Sequence, residues 1–371
     1  MPAPLEGLLV VDLSRVLAGP LAAMTLGDLG ADVVKVESPA GDDTRRWKPP
    51  ADAQGRASYH HAANRNKRSV ALDLTREEDL ALARSLCERA DVVVSNFKPG
   101  ALARFGLDHE TIARANPRVI HCEISGFGEA GGRDLPGYDP IVQAVGGLMS
   151  ITGPPEEPSK VGVAIVDVVT ALYATVAVLA ALHARRETGR GQRVTIDLLH
   201  ANLAMLANQA TGFLADGVSP RRLGNDHPSI EPFAVYRTAD GELMINAGND
   251  AQFSRLAAAL GVPELAADDR FATNESRVAN RRELRPLLEE RLGRRTSAEW
   301  HEALSAAGVP AGPVQTIGEA FALAEHLGLA VVDETGGVRT VSFPAHLSET
   351  PATVRRRPPE LDEHRGDFSR G

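Results

Sequence analysis

The sequence has little cysteine and no excess of positive charge, and each shortage excludes a class of protein. It has two cysteines, Cys87 and Cys122, among 371 residues. Two cysteines are too few for a disulfide framework and suit a reducing cytoplasm. Forty Lys and Arg residues against 49 Asp and Glu residues give a formal net charge of -9, so neither nucleic acid nor an anionic membrane is expected as a partner.

Targeting signals and disorder are also not expected. The first residues lack the basic start and apolar run of a signal peptide. Hydrophobic residues make up 43% of the chain and charged residues 24%, which is an ordinary globular composition. The length exceeds the usual size of one domain and favours two. We therefore expect a cytoplasmic enzyme.

Motifs for metal binding and for hydrolysis are missing. His109-Glu110 and His301-Glu302 lack the second histidine of a zinc-binding helix. His60-His61 and His121-Cys122 pair neighbouring side chains that point apart. No metal site is expected, and these histidines are interpreted as satisfied core or surface residues. The chain also has no Walker A sequence and no GxSxG elbow.

Residues 126–131 (GFGEAG) match the dinucleotide fingerprint GxGxxG and follow a predicted strand. A helix should open there to point its N-terminus at a pyrophosphate. Residues 133–137 (RDLPG) would break such a helix at once. We therefore predict a loop at this position rather than a nicotinamide site.

Residues 161–182 form a nearly continuous apolar run that is long enough to cross a membrane. Asp167 lies inside the run, and no aromatic belt flanks it. The composition of Ala, Val and Thr predicts instead a helix packed on all sides in a soluble core.

The first half of the chain alternates strand-like and helical segments. Short buried strands are predicted at 8–12, 32–37, 69–74, 91–95 and 119–124. Helical segments between them predict right-handed βαβ units and a parallel sheet. Thr75 and Glu78 have the spacing of a capping box before a helix.

The later part of the chain has a different pattern. Residues 233–246 predict a hairpin turning at Asp240-Gly241, and Thr296 and Glu299 form a second capping box. The predicted organisation is an α/β domain over 1–190, a helical linker over 191–225 and a smaller α+β domain over 226–330. The charged tail is expected to cover the surface.

Asp167 is the candidate catalytic residue. It falls near the first turn of the long predicted helix, where the helix terminus should hold its carboxylate ionised despite apolar neighbours. An ionised, partly desolvated carboxylate is suited to covalent nucleophilic catalysis. A plain N-terminal cap is the alternative. Lys67-Arg68, Lys98 and Arg104 supply local positive charge for an anionic ligand.

Seven segments in order resemble the class III CoA-transferases, which share a fold with α-methylacyl-CoA racemases. They are 12–20 (DLSRVLAGP), 28–37 (DLGADVVKVE), 64–69 (NRNKRS), 90–100 (ADVVVSNFKPG), 137–144 (GYDPIVQA), 188–192 (TGRGQ) and 248–253 (GNDAQF). The resemblance covers nearly the whole chain, and the ordered set is highly specific.

The resemblance implies a large Rossmann-like domain built from both ends of the chain, with 331–371 completing it. It also implies an interlocked homodimer. The family's catalytic aspartate matches Asp167, and Tyr138 and Asp139 match the strip that borders the active site. The implied coenzyme A contacts are Leu17, Ala18, Leu72, Asn96, Phe97, Lys98 and Arg104.

The implied reaction moves CoA from an acyl-CoA to a small carboxylic acid through aspartyl anhydride and aspartyl-CoA thioester intermediates. Coenzyme A is then a substrate, with no permanently bound cofactor. Ser38 and Gly137 stand where formyl-CoA:oxalate members carry basic residues, so an acid other than oxalate is expected.

Three functions other than transfer are compatible with parts of the sequence. Acyl-CoA racemases pair an Asp with a His, whereas this chain has Tyr138, a poor base at neutral pH. A catalytically silent acyl-CoA binding protein would have no need of Asp167. Hydrolysis stays open, because water could intercept the anhydride.

Overall fold

The computed structural model describes residues 3–368, and its contacts divide the chain into two units. The first unit contains residues 3–148, 161–218 and 328–368, and the second contains 149–160 and 219–327. The C-terminal segment therefore returns to the first unit.

A six-stranded parallel sheet forms the centre of the first unit, in the order β3-β2-β1-β4-β5-β6. Its strands are β1 (Leu9–Asp12), β2 (Asp32–Glu37), β3 (Lys67–Ala71), β4 (Val92–Ser95), β5 (Ile120–Ser125) and β6 (Arg193–Asp197). Most residues of β1 to β5 are buried, as expected for strands that helices cover on both faces. The strand order reverses between β1 and β4, and ligands of such sheets bind beyond the carboxyl ends of the strands there.

Nine α-helices occur between residues 3 and 218. They are α1 (Ala18–Asp28), α2 (Ser58–His61), α3 (Glu77–Arg89), α4 (His109–Ala115), α5 (Asp139–Val145), α6 (Leu148–Ile151), α7 (Ile165–Thr188), α8 (Leu198–Met205) and α9 (Ala207–Asp216). The predicted capping box at Thr75 is wrong. The Thr75 N–H and hydroxyl both donate to Asp73, and α3 begins two residues later, after Arg76.

The predicted helical linker over 191–225 contains a strand. Residues 193–197 form β6, which pairs in parallel with β5 at the sheet edge. This edge strand is only partly buried, so it lacks the continuous apolar run by which the interior strands were recognised. Helices α8 and α9 follow it within the first unit.

Helix α7 is not covered on all sides. The prediction of a helix packed on all sides in a soluble core is therefore wrong. One face packs in the core through Val166, Ala171, Ala174 and Val178. On the opposite face Leu172, Tyr173 and Val176 are exposed by 55%, 48% and 63%. By length and composition alone α7 could cross a membrane, with 39% of its apolar stretch buried in this structure.

The second unit has its own sheet and core. Antiparallel strands β7 (Phe233–Arg237), β8 (Glu242–Asn246) and β9 (Ala311–Pro313) pair in that order, which confirms the predicted hairpin. Its main helices are α10 (Asp250–Ala259), α11 (Asn274–Ala279), α12 (Arg281–Leu292), α13 (Ser297–Ala306) and α14 (Ile317–His326). The predicted capping box of Thr296 and Glu299 begins α13.

The C-terminal segment completes the first unit. A hairpin of β10 (Val332–Thr335) and β11 (Val338–Val341) precedes an extended tail. The Arg355 guanidinium donates to the carbonyls of Gly27, Gly30 and Ala31 at the end of α1, where a helix terminus favours positive charge.

Candidate active site

The first turn of α7 is held by a carboxylate from another helix. Asp139, the first residue of α5, is buried, and its Oδ2 accepts the N–H groups of Val166 at 2.8 Å and Asp167 at 3.2 Å. One turn further along α5, the buried Gln143 donates to Asp139 Oδ1 at 2.6 Å and accepts the Val161 N–H at 2.9 Å. Asp139 therefore fills the capping role that was the alternative function for Asp167.

This arrangement leaves the Asp167 carboxylate half-buried and without a hydrogen-bond partner within residues 3–368. Burial, with a further contribution from the negative charge of Asp139, raises the pKa of Asp167 to about 7. The expectation that the helix terminus keeps this carboxylate ionised is therefore wrong. The N–H groups that would stabilise its charge are already bound to another anion.

A cavity of about 510 Å³ contains Asp167. Its walls come from the loop after β1, the segment after β4, and two segments after β5. All of these follow the carboxyl ends of strands around the reversal of strand order, where the sheet topology favours a ligand site. Of the sequence-predicted residues, this cavity brings together Asp167, Leu17, Ala18, Asn96, Phe97, Lys98 and Tyr138.

The other predicted contacts lie elsewhere. Leu72 and Arg104 line a second cavity of about 250 Å³, which shares Arg15 and Phe97 with the first. Asp139 lines neither cavity and acts behind Asp167 through the contacts described above. A ligand that contacts all of the predicted residues would have to span both cavities.

The glycine-rich segment after β5 forms a wall of the first cavity. Residues 126–135 are turns and bends rather than a helix, as predicted. A Cβ atom on Gly126 would lie 2.4 Å from the Cα of Gly137. The two glycines are therefore needed for close approach of two backbone segments, and this segment opens no helix that could bind a pyrophosphate.

Three cations line the Asp167 cavity, namely Arg15, Lys98 and Arg133. The ammonium of Lys98 donates to Asp134 O at 3.3 Å, and the Arg133 guanidinium donates to Pro99 O at 3.0 Å. Within residues 3–368 the Arg15 guanidinium has no hydrogen-bond acceptor and lies 5.8 Å from the centre of the Phe97 ring. Arg15 is therefore the cation of this cavity that keeps all of its guanidinium donors available for an anionic substrate, whereas Lys98 and Arg133 each use one donor on a backbone carbonyl.

Tyr59 is a neighbour of the site that sequence reasoning missed. Burial and then the charges of Asp167 and Asp139 raise the pKa of its hydroxyl. Its ring packs edge-on against Trp47, with 5.0 Å between ring centres. Tyr59 lies on the short helix α2, far from Asp167 in sequence and outside every recognised motif, so only the fold brings them together.

The structure supports no metal site in the part of the chain that it describes. Residues 3–368 contain no group of three His, Cys, Asp or Glu side chains placed to hold a metal ion. His60, His61 and His121 are buried, and each has one ring nitrogen without a hydrogen-bond partner, so they are neither surface residues nor fully satisfied ones. Both cysteines are buried and free.

Residues 5–365 match the family model described as CoA-transferase family III. The chain belongs to this family. The match covers almost the whole sequence, and with the parallel sheet it confirms both the resemblance and the α/β fold class. The protein is therefore an enzyme of the CoA-transferase type.

Members of the family are similar to this chain along its length. It is 45% identical to succinate–glutarate CoA-transferase of Agrobacterium fabrum, over 97% of this chain and 94% of that protein. It is 39% identical to human succinyl-CoA:glutarate CoA-transferase, over 97% of this chain and 84% of that protein. The crystal structure of a CaiB/BaiF family protein from Brucella suis is 45% identical, with a TM-score of 0.92 and full coverage of both chains.

The raised pKa of Asp167 predicts the pH profile of any reaction in which this carboxylate attacks as an anion. Since the pKa is about 7, kcat/KM should rise with pH through that value and level off above it. Asp139→Asn removes the neighbouring charge and keeps an oxygen for the α7 N–H groups, so it should move the rise to lower pH.

The measurement is kcat/KM from pH 5 to 9 for the wild type and Asp139→Asn, with Asp134→Asn as the control. Asp134 is an exposed residue whose side chain lies outside both cavities. A profile that is the same in all three proteins would show that the Asp139 charge does not control the titrating group.

Proposed function

We propose that the protein transfers CoA between short dicarboxylic acids, with Asp167 as the covalent nucleophile. The observation that carries the proposal is the position of Asp167. Its carboxylate has a raised pKa and no hydrogen bond within residues 3–368, and it borders a cavity that also contains a free cation. The relatives named for succinate and glutarate support dicarboxylic acids of four or five carbons as substrates.

The reaction begins with attack by the Asp167 carboxylate on the thioester carbonyl of the acyl-CoA. The C–S bond breaks, the CoA thiolate leaves, and a mixed anhydride forms. The thiolate then attacks the aspartyl carbonyl, which releases the first acid as a carboxylate and leaves an aspartyl-CoA thioester. Desolvation of Asp167 favours the first step, because a carboxylate of higher pKa is the stronger nucleophile.

The second half of the reaction reverses the first with another acid. The acceptor carboxylate attacks the aspartyl carbonyl of the thioester, expels the thiolate and forms a second anhydride. The thiolate attacks the acceptor's acyl carbonyl, which completes the new acyl-CoA and returns Asp167 as a free carboxylate. Each step exchanges one activated carboxyl group for another, so the chemistry needs no resident cofactor and no metal.

The remaining site residues bind and orient the substrates. Leu17, Ala18, Asn96, Phe97, Lys98 and Tyr138 line the same cavity as Asp167 and would contact the part of CoA near the thioester. Leu72 and Arg104 line the second cavity and would contact the remainder of CoA. Holding CoA in place keeps the thiolate beside the anhydride between steps.

Arg15 would bind the distal carboxylate of the acid. Its guanidinium can form two parallel hydrogen bonds with a carboxylate. Such a contact also helps a second anion to approach the ionised Asp167. A monocarboxylic acid has no group for this contact, which makes Arg15 a candidate determinant of specificity.

Activity on a panel of acids tests the function. With succinyl-CoA as donor, glutarate should be converted to its CoA ester faster than oxalate or butyrate, and Asp167→Asn should abolish conversion. Arg15→Gln should raise the KM for glutarate roughly tenfold, the order of one charged hydrogen bond, and change that for butyrate little.

Product formation is followed by mass spectrometry of acyl-CoA esters, with Arg89→Gln as the control at an exposed position outside both cavities. Deuterium uptake beside the thioester in D₂O, without transfer to any acid, would instead support the isomerase alternative. Equal effects of Arg15→Gln on glutarate and butyrate would contradict its role at the distal carboxylate.

The protein would work as a homodimer in the cytoplasm, apart from membranes and nucleic acids. Exposed apolar residues on α7 (Leu172, Tyr173 and Val176) and on α9 (Phe213 and Leu214) form the kind of surface that an interface covers. Two buried free cysteines suit a reducing compartment. The net charge of -9 disfavours binding to nucleic acid or to an anionic membrane surface.

Light scattering during size-exclusion chromatography tests the dimer. The wild type should elute with twice the 39.4 kDa mass of one chain. Leu172→Asp with Val176→Asp should shift the population to monomer, because two charges would be buried without partners. A wild-type protein that is monomeric at micromolar concentration would contradict the homodimer.

A further inference from the structure

The loop between β1 and α1 contains a strained residue. Val16 has φ of +70°, and it is one of four non-glycine residues with positive φ in the described chain. This left-handed region is unfavourable for an L-residue, and it is a genuine outlier for a β-branched one. A residue stays in such a conformation only when the surrounding contacts hold it there.

Two side chains that follow other strands of the sheet, Asp42 after β2 and Asn96 after β4, bind the backbone of the loop. Asp42 Oδ2 accepts the Val16 N–H at 3.2 Å. The Asn96 amide binds both sides of Arg15, accepting its N–H at 2.8 Å and donating to its carbonyl at 2.7 Å. Three consecutive backbone groups of the loop are therefore bound by side chains that lie beyond β2 and β4.

Asp42 is itself fixed in a buried ion pair. Its Oδ2 lies 3.0 Å from Lys35 Nζ, and neither side chain is exposed. Its Oδ1 accepts the N–H and the hydroxyl of Thr44. Burial alone would raise the pKa of Asp42, but the Lys35 charge and the Thr44 hydrogen bonds hold it well below its usual range. The Lys35 ammonium also donates to the carbonyl of Ser14 at 3.0 Å, so it contacts the loop directly as well.

The same loop borders both cavities. Arg15, Val16, Leu17 and Ala18 line the cavity that contains Asp167. Ser14 and Arg15 line the second cavity, together with Lys35 and Asp42. The backbone conformation of Val16 therefore sets the positions of the residues on either side of it, which would contact a ligand that spans the two cavities.

We infer that Asp42 is a positioning residue for coenzyme A: paired with Lys35, it keeps Val16 in the left-handed conformation in which the loop presents its CoA-binding surface. The inference rests on the proposed function for the identity of the ligand. It assigns a role to a buried ion pair that takes no part in the chemistry at Asp167.

Binding of coenzyme A to the full-length protein, measured by isothermal titration calorimetry, tests the inference. In Asp42→Asn, the new amide either presents an N–H to the Val16 N–H or loses the contact with Lys35. We expect coenzyme A binding to weaken about tenfold, which is the order of the free-energy cost of the left-handed conformation. Glycine adopts positive φ without strain, so adding Val16→Gly should restore binding to within about threefold of the wild type.

Val16→Pro leaves the buried pair intact but can neither reach positive φ nor donate to Asp42, and should weaken binding about a hundredfold with little change in Tm. This variant keeps the test decisive where Asp42→Asn fails to fold. Asp32→Asn is the matched control, because it removes a surface ion pair with Arg68 at the opposite end of β2 and should bind as the wild type does.

The outcomes separate this inference from the proposed function. Wild-type affinity in both Asp42→Asn and Val16→Pro, or an Asp42→Asn defect that Val16→Gly leaves unchanged, would overturn the positioning role. A wild type that binds coenzyme A but transfers it to no acid would overturn the proposed function and leave the positioning role to be judged by binding alone. A wild type that does not bind coenzyme A would overturn both.

Discussion

The contact between the Asp139 carboxylate and the first turn of α7 determines the chemistry of the candidate site. It satisfies two N–H groups at the helix terminus, as any capping carboxylate would. Because the cap comes from α5, the carboxylate within the helix, Asp167, has a negative neighbour and no hydrogen-bond donor among residues 3–368. Gln143 continues the arrangement by holding Asp139 from behind. The terminus of one helix therefore positions two carboxylates in different roles.

This arrangement favours reactivity at a cost to stability. The pKa of Asp167 is raised by the fold to about 7, from about 4 in an unfolded chain. A raised pKa means that the folded state prefers the protonated form. Its contribution to stability is full below about pH 4 and is lost as the pH rises through 7. At the pH where the carboxylate can attack, the protein holds a partly buried charge that water would otherwise solvate.

Much of the fold could be predicted from local patterns, because buried strands and capping boxes are short-range features. The central strands, the hairpin of β7 and β8 and the start of α13 all followed from such patterns. Strand β6 and the start of α3 did not. An edge strand lacks a continuous apolar run, and Asp73 competes for the hydrogen bonds of Thr75. The sequence also could not show that one face of α7 is left exposed.

The sequence predicted which residues form the site better than it predicted the protonation state of Asp167. Asp167 stood out as a carboxylate in an apolar run, and six other expected residues border the same cavity. Its raised pKa could not be predicted, since the pKa depends first on burial and then on the charge of Asp139, and both arise from the tertiary fold. For the same reason Tyr59 and the strain at Val16 had no sequence signal. Each becomes visible only when residues from separate segments of the chain meet in the folded structure.

Peptide mass spectrometry after treatment with acyl-CoA and hydroxylamine tests the central claim most directly. Hydroxylamine converts an activated aspartyl carbonyl into a stable hydroxamate. We expect a hydroxamate at Asp167 alone, formed only when acyl-CoA is present. An unmodified Asp167 in protein that demonstrably binds and turns over the same acyl-CoA would contradict covalent catalysis by this residue.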